Sequence, residues 1–410
     1  MIKWPSLLAP AGSSRSMYTA IRFGADAVYC GMKQYSLRAK AENFEEEQFG
    51  KAVADAHRKG VKVFLTLNVF PMETDIPGML EAARAAEELG ADALIVSDIG
   101  LAARIRKELP GMAIHASTQA NITNSETAKI WQSVGAERII LARETTIAQI
   151  AAIRDALGDE MDLEAFVHGS VCMAWSGRCM LSNYFTGRSA NKGQCTQPCR
   201  WSYRFVETNR EDQAFELEED DRGSYVLSAQ DLCMIDHLKE LAEAGVSCFK
   251  IEGRTKSEYY VGTVTGAYRR AMDAVFGEEL PRSFDFEANR KELYRFSHRP
   301  YHTGFFLNEP RVWEQDTHRE LEREYVAYVL EERPGGALVE MKNRFYVGDE
   351  LESVTPRGSS LLTVEDIVSP ETGEHLDAVK VPASRVFIAC GEPLEAGDML
   401  RGKLRNRLTT

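Results

Sequence analysis

Apolar residues along the chain recur in one repeated arrangement: a helix-like segment ends at a glycine, and a short apolar run follows at once. The instances are FGADAVYCG (Phe23 to Gly31), KGVKVFLTL (Lys59 to Leu67), LGADALIVSD (Leu89 to Asp98), VGAERIILARE (Val134 to Glu144) and AGVSCFKIEG (Ala244 to Gly253). A glycine just past a helix takes up the left-handed C-cap conformation. The apolar run after it suits a strand of a buried parallel sheet. LLAPAG, MAIHASTQ and DLEAFVHG raise the candidate strands to eight, and helical stretches lie between most of them, as at Phe44 to Lys59, Met79 to Leu89 and Ser125 to Val134. Eight strands with helical returns predict an α/β fold, a (β/α)8 TIM-like barrel over residues 1–275, with a doubly wound open sheet as the rival.

Two departures from the pattern divide the rest. The connection after the seventh strand is long, an insertion over 170–228 that carries the cysteines; RWSYRFVE and GSYVLSA predict two strands in it around the acidic loop FELEEDDRG. Residues 276–321 read as an aromatic and basic linker with few helical signals. From 322 to 410 alternating polar and apolar positions with glycine turns predict a small antiparallel β-barrel domain.

Composition narrows the class. The chain has 410 residues, 44% of them hydrophobic and 27% charged, with a net charge of −13. The balance argues against a general polyanion-coating protein and leaves room for a local basic patch. The opening residues lack a signal-type apolar core and no run is long enough for a bilayer, so a cytoplasmic protein is expected, with reduced thiols.

Grouped cysteines then point to metal or catalysis. Cys172 and Cys179 are separated by six residues, Cys195 and Cys199 by three, and Cys233 lies beyond the insertion. Four thiolates suit zinc or an iron–sulfur cluster, and spacing alone leaves both open. Cys30, Cys248 and Cys390 sit inside apolar runs and read as core residues. A catalytic thiol needs a base, and His168 is near Cys172 in sequence. In a barrel, chemistry sits where strands end; the polar groups there are Asn68, Ser97, Asp98, His115, Ser117, Gln119, Arg143, Glu144, His168, Glu252 and Arg254. Ser97, Asp98 and Glu144 read as helix caps, whereas His115, Arg143, His168 and Arg254 read as functional.

The stretch EAFVHGSVCMAWSGRCMLS, Glu164 to Ser182, resembles the signature of the collagenase-like peptidase family U32 at Glu164, Phe166, Gly169, Ser170, Cys172, Gly177, Cys179 and Ser182. The resemblance extends to LLAPAG, AVYCGMKQYSLRAKAENF, HASTQANITN, LARE and KIEGRTKSEYYVGTVTGAYR, and into a separate C-terminal β domain. The family includes members named as peptidases and oxygen-independent hydroxylases of tRNA, ribosomal RNA or the ubiquinone ring. The resemblance implies a 4Fe-4S cluster on Cys172, Cys179, Cys195 and Cys233, with Cys199 as an alternative to Cys195. The length and single β domain are similar to members that hydroxylate the wobble uridine of tRNA at C5 and depend on prephenate, some with a shorter paralogous subunit as partner. Peptide hydrolysis, hydroxylation of another substrate such as rRNA, and a non-catalytic binding module are the alternatives.

On that reading, prephenate's two carboxylates call for arginines, and Arg143, Arg254 and Arg38 are the candidates, with Asn68 and Gln119 beside them. His168, His115 and Glu252 are the candidate proton-handling groups. A tRNA loop calls for aromatics and phosphate contacts. RSANKGQCTQPCRWSYR and LYRFSHRPYHTGFF supply them, with Arg188, Lys192, Arg200, Trp201, Arg295 and Arg299 as the expected RNA contacts.

Overall fold

A computed structural model describes residues 4–38, 41–172, 178–201, 230–277, 284–307 and 322–404. Of the two strands expected in the insertion, Arg200 to Glu207 and Gly223 to Ala229, only Arg200 and Trp201 are among those residues, and they lie at the end of a turn. The chain divides into two compact units: Met1–Met17, Asp26–Lys256 and Arg299–His318 form the first, and Tyr18–Ala25, Ser257–His298 and Arg319–Thr410 the second.

In the first unit the predicted strands appear as β1 (Ser6–Pro10), β2 (Ala27–Cys30), β3 (Lys62–Leu67), β4 (Ala93–Val96), β5 (Ala113–Ala116), β6 (Arg138–Ile140), β7 (Asp162–Ser170) and, after the short β8 (Asp231–Cys233), β9 (Cys248–Ile251). Successive parallel pairings run from β1 to β7, and β9 pairs with both β1 and β7. Among the described residues, eight parallel strands therefore close into a barrel; the open-sheet alternative is excluded. Their runs are buried almost throughout, as in ALIV of β4, because helices α1 (Ser14–Arg22), α2 (Glu46–His57), α3 (Ile76–Glu88), α4 (Ile99–Glu108), α5 (Ser125–Ser133), α6 (Ile147–Leu157) and, before β9, α8 (Leu238–Glu243) return between them. Gly60, Gly90, Gly135 and Gly245 all have positive φ, and the amide of the next residue reaches back five positions, as Val61 to Ala56 and Ala91 to Ala86. That bond ends the helix and aims the chain into the next strand.

β7 departs from the regular ladder. Phe166 pairs with Lys250, but His168 pairs with Ile251, so Val167 is an extra residue. Such a bulge reverses the phase of the side chains beyond it. The end of β7 then pairs with antiparallel β8, placing His168 opposite Cys233, and β10 (Tyr301–His302) adds to β8 in parallel. Between β7 and β8 the described part of the insertion holds α7 (Leu181–Thr186) and two single turns, Ala190–Lys192 and Pro198–Arg200.

The second unit contains α9 (Glu258–Phe276), α10 (Phe286–Lys291) and an antiparallel sheet. α10 lies in the stretch expected to hold little helix; Asp285 starts it by accepting from the Ala288 amide. The sheet is built from β11 (Arg323–Arg333), β12 (Gly336–Met341), β14 (Glu350–Thr355), β15 (Gly358–Thr363), β16 (Asp366–Val368), β18 (Arg385–Ala389) and β19 (Met399–Lys403), with β13 (Phe345–Tyr346) and β17 (Ala378–Val379) as a separate pair. Leu362 at one end of the strand order and Ile367 at the other share one core with Val329, Val339 and Leu400. Arg401 is buried there: its guanidinium donates to both Glu292 oxygens at 2.7 and 2.9 Å and to Glu352 at 2.6 Å. Among the described residues no helix is long and apolar enough to cross a membrane.

Candidate functional site

The C-terminal ends of the barrel strands surround a narrow cavity whose lining includes four cations, Arg38, Arg143, Lys250 and Arg254, against one carboxylate, Glu252. Asn68 and Gln119 also line it. β9 supplies Lys250, Glu252 follows it, and Arg254 is reached by the turn beyond. Glu252 Oε2 accepts from Arg143 at 2.9 Å and Arg38 at 3.1 Å. Burial alone would raise its carboxyl, but the charges of Arg38 and Arg143 hold it down to about 2. Glu252 is thus a fixed anion that aligns two arginines, and at neutral pH it is a poor proton acceptor. The Phe166 ring supports Arg143 from 4.0 Å. Glu252 also keeps Arg38 charged, and the nearby Cys172 adds to that effect.

Arg254 is almost wholly buried and donates to Thr66 Oγ1 at 2.5 Å and Ser36 Oγ at 2.6 Å. Burial, reinforced by Arg38, lowers it to about 10, so it remains charged at neutral pH. Each terminal nitrogen gives one donor to a hydroxyl, so Thr66 and Ser36 hold the guanidinium in place at the cavity wall. Glycines make room for it: a Cβ on Gly12 would lie 1.8 Å from the Arg254 carbonyl oxygen, and one on Gly31 2.9 Å from its guanidinium.

Below these groups the barrel holds a second charged layer. Glu164 is fully buried and accepts from Lys250 at 2.7 Å and Arg138 at 3.2 Å. Lys250 Nζ also lies 4.4 Å from the Tyr29 ring centre. Buried charges persist only when paired and hydrogen-bonded. Glu164 meets that need, and Arg138 also donates to Asp162 at 3.2 Å, so two cations face two carboxylates beneath the cavity. Lys250 and Tyr29 were not among the expected site residues; the available signal was an acid in DLEAFV and a lysine in CFKIEG, lone opposite charges inside two apolar strands.

The expected histidines lie elsewhere. His115 packs edge-on against Phe64 with ring centres 4.7 Å apart, and it does not line the cavity. Burial, with the charges of Arg138 and Lys250, pushes it well below the usual histidine range. His168 is buried outside the cavity, its ring 5.3 Å from that of Tyr301. The bulge at Val167 accounts for this: it takes His168 out of the inward phase of Phe166 and puts it across the ladder from Cys233.

The cysteines divide by environment. Cys30 and Cys248 are buried and pushed up to about 12, as core thiols, and Cys390 is buried in the second unit. Cys172 and Cys195 are exposed, and Cys179, Cys199 and Cys233 are half-buried. Burial raises Cys179; the Leu181 and Ser182 amides oppose this, while neighbouring Cys172 and Cys195 reinforce it. Cys195 Sγ accepts from the Gln197 amide at 3.3 Å and Ser182 Oγ at 3.7 Å. Amides aimed at sulfur suit thiolates that carry charge, so this donor set fits a soft metal or an iron–sulfur cluster. Among the described residues, no three or more His, Cys, Asp or Glu side chains are gathered into a metal-binding group.

Of the expected RNA contacts, Arg188 and Trp201 are exposed, and Lys192 is exposed while pairing with Asp75 at 2.9 Å. Arg200 ends the Pro198–Arg200 turn. Arg295 pairs with Glu322. Arg299 is corrected: it is buried, and Asp231 binds both its amide, at 3.1 Å, and its guanidinium. That pair fixes the start of β8 instead of meeting a phosphate. Asp98 caps α4 through the Leu101 amide, as expected.

Comparison with known proteins gives one consistent result. The model of "Peptidase family U32" matches residues 12–316, and that of "Peptidase family U32 C-terminal domain" matches 322–401. The tRNA hydroxylation protein P of Escherichia coli K12 is 34% identical, with 95% of each chain covered. The tRNA hydroxylation protein P1 of Bacillus subtilis 168 is 32% identical, over 97% of this chain and 95% of its own. The 23S rRNA 5-hydroxycytidine C2501 synthase of E. coli is 38% identical over 74% of this chain but only 45% of its own. The first match begins just past β1, at the glycine that makes way for Arg254, and takes in the other seven barrel strands, the second takes in the C-terminal sheet as far as Arg401, and the chain accordingly belongs to peptidase family U32.

Proposed function

We propose that this protein is a tRNA-modifying enzyme that hydroxylates the wobble uridine at C5 without dioxygen, using prephenate as co-substrate and a 4Fe-4S cluster on Cys172, Cys179, Cys195 and Cys233. The observation that carries the reading is the arginine-lined cavity at the strand ends, where Glu252 aligns Arg38 and Arg143. The relatives covered over nearly their whole length are named for tRNA hydroxylation, whereas the rRNA enzyme has more than half its length outside the match, which favours tRNA.

In this reading the cavity's cations bind the co-substrate's carboxylates. Arg143 and Arg38 keep donors beyond those given to Glu252. Glu252 prevents the two arginines from spreading apart and needs no protonation change during turnover. When bound, the cluster supplies redox chemistry. His168, across the ladder from Cys233, is placed to hold a proton on the thiol side rather than in the cavity. Peptide hydrolysis is less well supported, because among the described residues the cavity lining holds neither a histidine nor a cysteine to form a nucleophile–base pair.

Nucleoside analysis of tRNA tests the reading. A strain lacking the gene is expected to lose the C5-hydroxylated wobble uridine, the wild-type gene to restore it, and Arg143→Ala to restore it poorly. Anaerobically purified protein is expected to hold about four irons per chain, as one such cluster requires. Unchanged wobble nucleosides in the deletion strain would sink the proposal.

A further inference from the structure

The insertion beside the thiols carries an exposed aromatic group that the cavity does not use. Tyr184 is 83% exposed and Met180 64%, and Phe185 and Trp201 are also exposed. The rings form a connected set: Tyr184 and Phe185 are 5.1 Å apart and perpendicular, and Phe185 and Trp201 are 6.1 Å apart and tilted. Large apolar side chains exposed together mark a binding surface. The set is also held in place. Ser182, buried in the same short helix, accepts from the Thr196 amide at 3.1 Å, and the Phe70 amide donates to the Asn191 carbonyl at 3.3 Å.

Charge identifies the occupant. From Arg178 to Trp201 the sequence has four cations and no acid, within a chain of net charge −13. Arg178, Arg188 and Lys192 are exposed there. Asp75, from outside the stretch, pairs with Lys192, and the surround is still rich in cations; a protein partner's apolar patch would not require that, and an acidic peptide would not require exposed aromatic faces. Unpaired nucleotides need both, since bases stack on aromatic rings and phosphates meet cations.

We infer that Tyr184, with Phe185 and Trp201, forms a stacking platform for an unpaired base of the RNA substrate, with Arg178, Arg188 and Lys192 receiving the adjacent phosphates. The inference rests on the tRNA reading above and adds the site at which the loop is held. Its location is chemically apt: Tyr184 and Phe185 follow Ser182, whose hydroxyl contacts Cys195, and Trp201 is two residues from Cys199. A base on the platform therefore lies beside the thiols.

The test is fluorescence anisotropy with a labelled anticodon stem–loop carrying uridine at the wobble position. Tyr184→Ala is expected to weaken binding roughly ten- to a hundredfold, the range for loss of one stacked base. Tyr184→Phe and Tyr184→Trp are expected to bind within a few-fold of wild type, because a ring face suffices. The melting temperature and carboxylate binding by the cavity are expected to stay unchanged in all three. Equal affinity of wild type and Tyr184→Ala overturns the platform while leaving the tRNA reading intact. A lowered melting temperature with unchanged RNA affinity also overturns it, by showing that the rings pack against the chain itself. If the wild-type protein does not bind the stem–loop, both fall.

Discussion

Glu252 is where single-residue chemistry has the clearest consequence. Two arginines hold its carboxyl down to about 2, whereas an unfolded glutamate titrates near 4.3. A depressed folded value means that the stabilisation is complete above about pH 4.3 and is lost as pH falls toward 2, on the order of 3 kcal/mol in all. Glu252→Gln is therefore expected to lower urea-unfolding stability by roughly that amount at pH 7, with the gap to wild type closing as pH approaches 2. A gap independent of pH would show that shape, not charge, matters there. His115 works through the opposite ionisation but in the same direction: buried neutral, it is protonated first in the unfolded chain, so stability falls as pH drops below about 6.5. His115→Gln is expected to flatten the pH dependence of the urea midpoint between about pH 6.5 and 5. The residues behind these effects were partly visible in the sequence. Strand-end position identified Glu252, Arg143, Asn68 and Gln119 as cavity-lining, because residues just past an apolar run reach the barrel mouth. Lys250 was missed because it lies within the run, where composition reads as core, and its partner Glu164 is far away in sequence.

At the scale of elements, the glycines were the legible feature and the bulge was not. Each glycine after a helix meets one local requirement, a positive φ, and a local requirement leaves a mark at one sequence position. The cost of changing one should then depend on what surrounds it. A Cβ on Gly60 would meet nothing within 4 Å, so Gly60→Ala is expected to cost only the left-handed backbone, about 1 kcal/mol in urea unfolding. A Cβ on Gly135 would lie 2.6 Å from Arg106 Nε, whose guanidinium holds the Gly135 carbonyl at 2.7 Å and Glu137 at 2.9 Å. Gly135→Ala is expected to cost clearly more, and equal losses at the two sites would contradict the packing argument. The bulge at Val167 has no such mark. Nothing in EAFVHGS distinguishes a strand that keeps its alternation from one that slips by a residue, because the slip is imposed by pairing with β9 on one side and β8 beyond. That slip removed His168 from the cavity and brought it to Cys233. The thiol loop was legible in composition but not in geometry, since ligand loops are fixed by contacts distant in sequence and, in cluster proteins, by the metal itself.

For the whole molecule the question is how a chain with 62 acids and 49 lysines and arginines approaches a polyanion. Long-range attraction cannot come from net charge, so the approach depends on where the cations lie. The acid-free stretch from Arg178 to Trp201 meets that need, and Arg299, a cation expected to help, is withdrawn into its pair with Asp231. Few phosphate contacts should then support binding, and stacking should supply much of the rest. Each contact to a single strand contributes about 0.7 to the slope of log affinity against log salt. Three contacts, through Arg178, Arg188 and Lys192, give a slope of about −2 for the anticodon stem–loop. Arg188→Ala is expected to make it shallower by about 0.7, and Lys192→Ala by less, because Asp75 already neutralises part of that charge at 2.9 Å. Tyr184→Ala is expected to lower the affinity at every salt concentration and leave the slope unchanged, since a ring displaces no counterions. A wild-type slope of about −5 or steeper would mean that the RNA contacts a much larger basic surface than this insertion provides.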